Sequence, residues 1–242
     1  MIAAIRSESL RSISGLSLTA TYLLAIVVPV VVLTSDRSLT DLTGLSDGAA
    51  TAQLLQPLAW SFIIAAFVGA YTVTREYYYA SMDRTLTELG YRRAFWGKMV
   101  AGVITAVGLA LCTFAIWTVV AFFILKQEGL AVNIDAAGLR IYAGALAGVI
   151  LGSFIGGAVG WISHNYYIGA AIVLAFPIGI EFALLGSSPE IARFSPGMAI
   201  AALGVPEFRD RLLEFEPAAG IAAAWTVGLV LVAWFAGRRR VA

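Results

Sequence analysis

The sequence predicts an all-α membrane protein with six transmembrane helices, and three observations carry that prediction. Of its 242 residues, 60% are hydrophobic and 13% charged, against about 45–50% and about 25% in soluble domains. The charges also leave long gaps: no Asp, Glu, Lys or Arg falls in 12–35, 48–74, 99–125, 141–180 or 217–237. A hydrocarbon core about 30 Å thick needs about 20 apolar residues as helix, so 141–180 accommodates two spans and each other gap one. Finally, the basic residues collect in alternate connections, as the positive-inside rule requires of a multi-pass chain. With both termini cytoplasmic, the inner segments carry Arg6, Arg11, Arg75, Arg84, Arg92, Arg93, Lys98 and Arg238–Arg240, and the outer ones only six more.

Residues 2–16 place Ile2, Ile5, Ile13 and Leu16 on one helical face, with Arg6, Arg11 and serines elsewhere. That pattern suits a helix lying in the membrane interface; a polar leader is the alternative. The first span covers 18–34, with Pro29 inside it, and 35–53 reads as a polar outer loop holding Asp36, Asp41 and Asp47. Spans two and three cover 55–74 and 99–125. At about 1.5 Å per residue the third outruns the bilayer and must tilt or project. Span four, 141–163, carries Gly144, Gly148, Gly152, Gly156 and Gly160 at every fourth position. Such a ladder bares one helical stripe, so that another backbone can lie against it, in this chain or in a second copy; a slot along a substrate path is the other reading. His164 and Asn165 make a tight turn, with His164 as an interfacial cap, into span five at 166–185. Span six covers 218–237.

Between the last two spans, 187–216 is punctuated by Pro189, Pro196 and Pro206, and its apolar patch 198–203 is too short to cross. It reads as a broken, partly re-entrant outer segment. A second interfacial helix is expected from Pro206, with Phe208, Leu212 and Phe215 on one face. Residues 1–242 thus form a single transmembrane domain.

Several function classes drop out on composition. A net charge of +1, with no basic cluster beyond Arg238–Arg240, offers nothing to nucleic acid. One His and one Cys cannot build a zinc cluster, so no metal site is expected. The two lysines, Lys98 and Lys126, precede Met99 and Gln127, so no P-loop ending in Lys-Ser/Thr exists. No catalytic residue and no cofactor are expected in this chain. Glu181 is the only acid within a span, and acids in membranes are expensive enough to mark a function or an ion pair. Its candidate counterions are Arg193 and Arg140; a place on a substrate path and simple snorkelling are the other readings.

The segment 75–98, REYYYASMDRTLTELGYRRAFWGK, concentrates charge between spans two and three. Met82, Leu86 and Leu89 share one face of a helix about two turns long, which Gly90 terminates. A short helix with an exposed apolar stripe is sized to enter a groove on another protein; lying flat on the headgroups is the alternative.

Here the chain resembles the permease subunits of type-2 ABC exporters. In that family the second span leads into a Glu, a small pair that is usually Gly-Thr, a short leucine-rich helix, a Pro-Ser-Arg-like turn and a Gly-Lys opening the third span. The counterparts are Glu76, Ala80-Ser81, Met82–Leu89, Gly90-Tyr91-Arg92 and Gly97-Lys98, with Ala-Ser replacing Gly-Thr and Gly replacing Pro. The resemblance extends over the whole chain through the N-terminal helix, the six spans and the Ser195-Pro196 pair in the outer segment. It implies a pump whose ATPase lies elsewhere: two copies of a P-loop ATPase subunit, holding ATP and Mg, acting on two permease copies or on this permease and a related one, in the cell membrane. It implies that Glu76, Ser81, Met82, Leu86, Leu89, Arg92 and Lys98 couple the chain to the ATPase, with Met82–Leu89 as the lever. The residues alone leave open a stand-alone ion- or proton-coupled transporter, a membrane-embedded enzyme, or an assembly subunit. An inverted-repeat transporter would show likeness between spans one to three and four to six, and none is visible. A lipid, a peptide or an apolar drug would suit the composition about equally as substrate.

Overall fold

A computed structural model of the chain describes residues 16–35, 41–206 and 210–241, together with the isolated positions 5 and 9. Of the interfacial helix expected over 2–16, positions 5, 9 and 16 are described and the rest lies outside the described residues. Among the described residues the fold is all α, without strands. Helix α1 spans Leu16–Ser35, with Pro29 inside it. Among the described residues, five stretches are long and apolar enough to cross a membrane: Asp47–Tyr78, Tyr91–Gln127, Ala136–Ser163, Tyr166–Ser187 and Phe215–Arg238.

The first of these starts earlier than the charge pattern suggests. Residues 47–53, expected in a polar loop, are already helical. Ser46 caps α2 (Asp47–Leu55) by accepting the Ala49 N–H at 3.4 Å, and Asp47 occupies its first turn, where a carboxylate complements the helix dipole. Pro57 then tightens the chain into a 3-10 stretch, Gln56–Ser61, because it brings no N–H to the helical ladder. The α-helix resumes as α3, Phe62–Tyr78.

After α4 (Met82–Leu89) comes α5, Tyr91–Gln127, of 37 residues. At 1.5 Å per residue it is about 56 Å long, well beyond a hydrocarbon core. Helix α6, Ala136–Ser163, is capped by Asp135, whose side chain accepts from Ala137 and Gly138 N–H. It ends at His164, which adopts a left-handed φ of 52°. Asn165 then caps α7 (Tyr166–Ala175) by accepting the Ile168 N–H at 3.1 Å. The stretch Tyr166–Ser187 is not uniform: at Pro177 it relaxes into a π-helical stretch, Phe176–Glu181, before α8 (Phe182–Ser187). A π stretch at a proline follows from the missing i→i−4 bond.

The segment between α8 and the last helix is broken, as its prolines require. It holds α9 (Pro189–Ala192) and α10 (Pro196–Ala201). Gly197 to Ala201 are buried against α6 and the last helix, α11 (Phe215–Val241). The amphipathic helix expected from Pro206 to Phe215 is corrected: 211–214 are not helical, and Asp210 has a φ of 57°. A left-handed residue interrupts the helical path there. Leu212 is nonetheless buried, and Phe215 opens α11 instead. Pro217 then falls in the first turn of α11, where its missing N–H costs nothing.

The central scaffold is α3 against α6, with α5 and α11 packed on α6. Outward, α5 presents Leu111, Val119, Phe122 and Phe123, while α11 presents Val227, Leu231, Val232 and Phe235. So broad an exposed apolar surface suits lipid and not water.

Candidate functional site

The elbow joining α3, α4 and α5 gathers most of the residues singled out by the sequence. Helix α3 stops at Tyr79, and Ala80 takes a left-handed φ of 51°. Ser81 N–H then bonds back to Glu76 O at 2.8 Å and Ala80 N–H to Tyr77 O at 3.2 Å. This is a Schellman closure, with alanine where glycine is usual. The small pair Ala80-Ser81 is therefore a reversal of the chain, and α4 starts at once beyond it. Gly90 ends α4 with a φ of 72°, a conformation that glycine adopts without steric cost.

Glu76 and Lys98, at the two ends of the segment, meet. Lys98 Nζ lies 2.6 Å from Glu76 Oε1, and the two side chains are 0% and 5% exposed. Removing two charges from water costs several kcal/mol each unless they are paired, so this contact locks the end of α3 to the start of α5. Met82 of α4 is 2% exposed and joins a cluster with Val73, Phe95, Met99, Trp161 and Ala233, against which Leu86 packs. This corrects the expected exposed stripe. The apolar face of α4 is directed into its own chain, with Leu89 half-buried, and its outward face is polar: Asp83, Arg84, Thr87 and Glu88. There Arg84 Nε pairs with Glu88 Oε1 at 2.8 Å, and the neighbouring carboxylate raises the guanidinium pKa above its ordinary value. Arg92 is exposed, and Ser81 is partly exposed.

Aromatic rings seal the elbow. Tyr91 stands 5.1 Å from Trp234 and 5.7 Å from Trp161 between ring centroids, and Phe95 lies 5.3 Å from Trp161. The Tyr91 hydroxyl donates to Trp234 O at 2.8 Å, which ties the start of α5 to the end of α11. Gly237 leaves room for that ring, since a Cβ there would strike the Tyr91 hydroxyl. Tyr77 meets the His164 ring edge-on at 4.6 Å, so the turn after α6 belongs to the same assembly.

The glycine ladder lies within the chain. A Cβ on Gly152, Gly156 or Gly160 would run into the backbone of Phe62, Ala66 or Ala70 of α3. Gly144 faces the Leu203 carbonyl, and Gly148 faces Ile200. In return, a Cβ on Gly69 of α3 would strike the Ser153 carbonyl. The two backbones touch along their length, as small-residue spacing permits.

Glu181 is fully buried, and the counterions expected for it are not its partners. Arg193 pairs with Glu190 at 2.6 Å, and Arg140 is exposed. Instead Glu181 Oε1 accepts the Gly197 N–H at 2.9 Å, which ties the π stretch Phe176–Glu181 to the first turn of α10. Among the described residues no group of three or more His, Cys, Asp or Glu could hold a metal ion. Compared with protein-family models, curated proteins and solved structures, the chain matches none.

Two features escape a linear reading. The mutual pairing of Glu76 and Lys98 spans 22 residues; its one signal is a lysine set among apolar neighbours, Phe95 and Met99, which demands a buried counter-charge. The contact of Glu181 with Gly197 of α10 has no signal in spacing at all.

Proposed function

We propose that this chain is the transmembrane permease subunit of a type-2 ATP-binding-cassette exporter, moving a substrate out of the cytoplasm with ATP hydrolysed by a separate P-loop subunit. The observation that carries this reading is the elbow: a two-turn helix hung between two long membrane-crossing helices and fastened to both. Its anchor, Met82, lies in the core formed by α3, α5, α6 and α11, and the Glu76–Lys98 pair fixes its two supports to each other. A push on the polar outer face of α4 would be transmitted to those helices as a rigid displacement, which is what coupling to an external motor requires. In this reading α1 is the first of six crossings, both termini and α4 are cytoplasmic, and α9 and α10 lie on the outer side of the cell membrane. Two ATPase subunits and a second permease, identical or related, complete the pump.

The apolar face of α4 is occupied by the chain itself, so the ATPase meets Asp83, Arg84, Thr87 and Glu88. The test is co-purification. Expressed with the P-loop ATPase of its operon or host, the wild-type chain carries the ATPase through two affinity steps. Arg84→Glu with Thr87→Trp abolishes that association while leaving the melting temperature of the permease unchanged. Failure of any P-loop ATPase to co-purify with the wild-type chain rejects the reading in favour of a stand-alone transporter.

A further inference from the structure

Between α7 and α11 a cleft of about 320 Å³ opens, with Phe62, Ile155, Phe176, Ile200, Trp225 and Leu229 among its walls. Its volume falls within the range of ligand sites, about 300–1,000 Å³. The carboxylate of Glu181 lines it, with Ser195 as the neighbouring polar side chain. Glu181 Oε1 is taken by Gly197 N–H, while Oε2 is buried and the donor left to the carboxylate is the neutral Ser195 hydroxyl. A buried carboxylate held by neutral donors is costly, and Arg193, the arginine nearest to it in sequence, pairs through Nη2 with Glu190. The cleft therefore ends in a carboxylate served by neutral donors, and a cationic donor completes it best.

The rim indicates where a ligand comes from. Ile172, Phe176 and Trp225 at the mouth are 45%, 38% and 43% exposed, and all three are apolar or aromatic. A solute in water gains nothing from such a rim, whereas a molecule already dissolved in lipid slides past it. At about 30 Å³ per water molecule the space equals about ten waters, enough for one short chain or ring system and too little to enclose a two-tailed lipid.

We propose that this cleft binds a single-chain amphiphile entering from the membrane, with its apolar body against α7 and α11 and a protonated amine seated on Glu181. Binding is a property of this chain alone; the ligand's status as exported cargo rests on the permease reading above. The test is calorimetric titration of decylamine and of decanol into phosphatidylcholine nanodiscs holding the full chain, with empty nanodiscs as the blank. Decylamine binds saturably at one per chain, and decanol binds about tenfold or more weakly. Glu181→Gln removes that preference without changing decanol binding, and Ile155→Trp, which fills the cleft, abolishes both. Partition equal to that of empty nanodiscs, or an amine preference that survives Glu181→Gln, overturns the proposal. Should Glu181→Gln not fold, the wild-type amine-to-alcohol ratio and Ile155→Trp still decide it. A flat titration beside a retained ATPase sinks the amine site alone, while saturable binding without any ATPase partner sinks only the permease reading.

Discussion

At the residue scale, the elbow stores one unfavourable conformation and one costly pair. Ala80 holds a left-handed φ of 51°, which costs an L-residue with a Cβ about 1–2 kcal/mol. Ala80→Gly relieves that strain at some cost in unfolded-state entropy. We expect the variant to be more stable by about 1 kcal/mol, which in a domain of this size raises Tm by about 2–4 °C; an unchanged or lower melting temperature in detergent would contradict the left-handed assignment. The Glu76–Lys98 pair behaves differently. Lys98→Met leaves a carboxylate at 5% exposure beside an apolar cluster, and breaking such a pair from one side costs about 3–5 kcal/mol. The double variant Glu76→Leu with Lys98→Met removes both charges and recovers most of that loss. Thermal melts of the wild type, both single variants and the double variant measure this directly: a double variant as unstable as Lys98→Met would mean that packing around the lysine stem, and not charge, governs the site. Both residues stand out in the sequence, but which atom each seeks was legible only once α3 and α5 were side by side.

At the element scale, the α3–α6 interface rests on the absence of side chains. A Cβ on Gly156 would sit on the Ala66 carbonyl, and helix backbone cannot yield as a flexible side chain can. Gly156→Ala should therefore force the helices apart and cost about 1–3 kcal/mol. Gly108 on α5 has nothing within 4 Å of the same position, so Gly108→Ala should be neutral or gain up to about 1 kcal/mol from helix propensity. Equal effects of the two substitutions, read from the folded fraction after solubilisation, would refute the packing role of the ladder. Helix α4 shows the limit of periodicity as a guide. The spacing of Met82, Leu86 and Leu89 correctly indicates a helix with one apolar face, and Gly90 its end. Periodicity says that a face is apolar but not what covers it, and here the cover is the chain's own Val73, Phe95 and Trp161.

At the scale of the whole molecule, the elbow and the turn at His164 lie at one end of the helical bundle, and the broken segment between α8 and α11 lies at the other. If the positive-inside count assigns the sides correctly, single cysteines introduced on a Cys112→Ala background report opposite compartments. Asp83→Cys on α4 is modified by a membrane-impermeant maleimide only in inside-out vesicles, and Glu128→Cys beyond the end of α5 only in intact cells. Both parent residues are exposed, so reactivity depends on the side alone. Labelling of both from the same side would refute the topology and, with it, the placement of α4 towards a cytoplasmic ATPase.

The sequence by itself determined the class of molecule, the positions of the long helices and the existence of the short one between them. Those properties follow from local quantities: apolar length, charge gaps, periodicity and a terminating glycine. It misjudged where helices start, because charges mark where solvent begins and not where the hydrogen-bonded ladder stops; Asp47 and Tyr91 both open helices outside their charge gaps. Only the tertiary structure decided that Glu76 neutralises Lys98, that the glycine ladder serves α3 and α10 of the same chain, that Met82 faces inward and that Glu181 meets the Gly197 N–H of α10. Each of these is a contact between helices distant in sequence, set by crossing geometry and by the need to satisfy buried polar groups, and no local pattern encodes it.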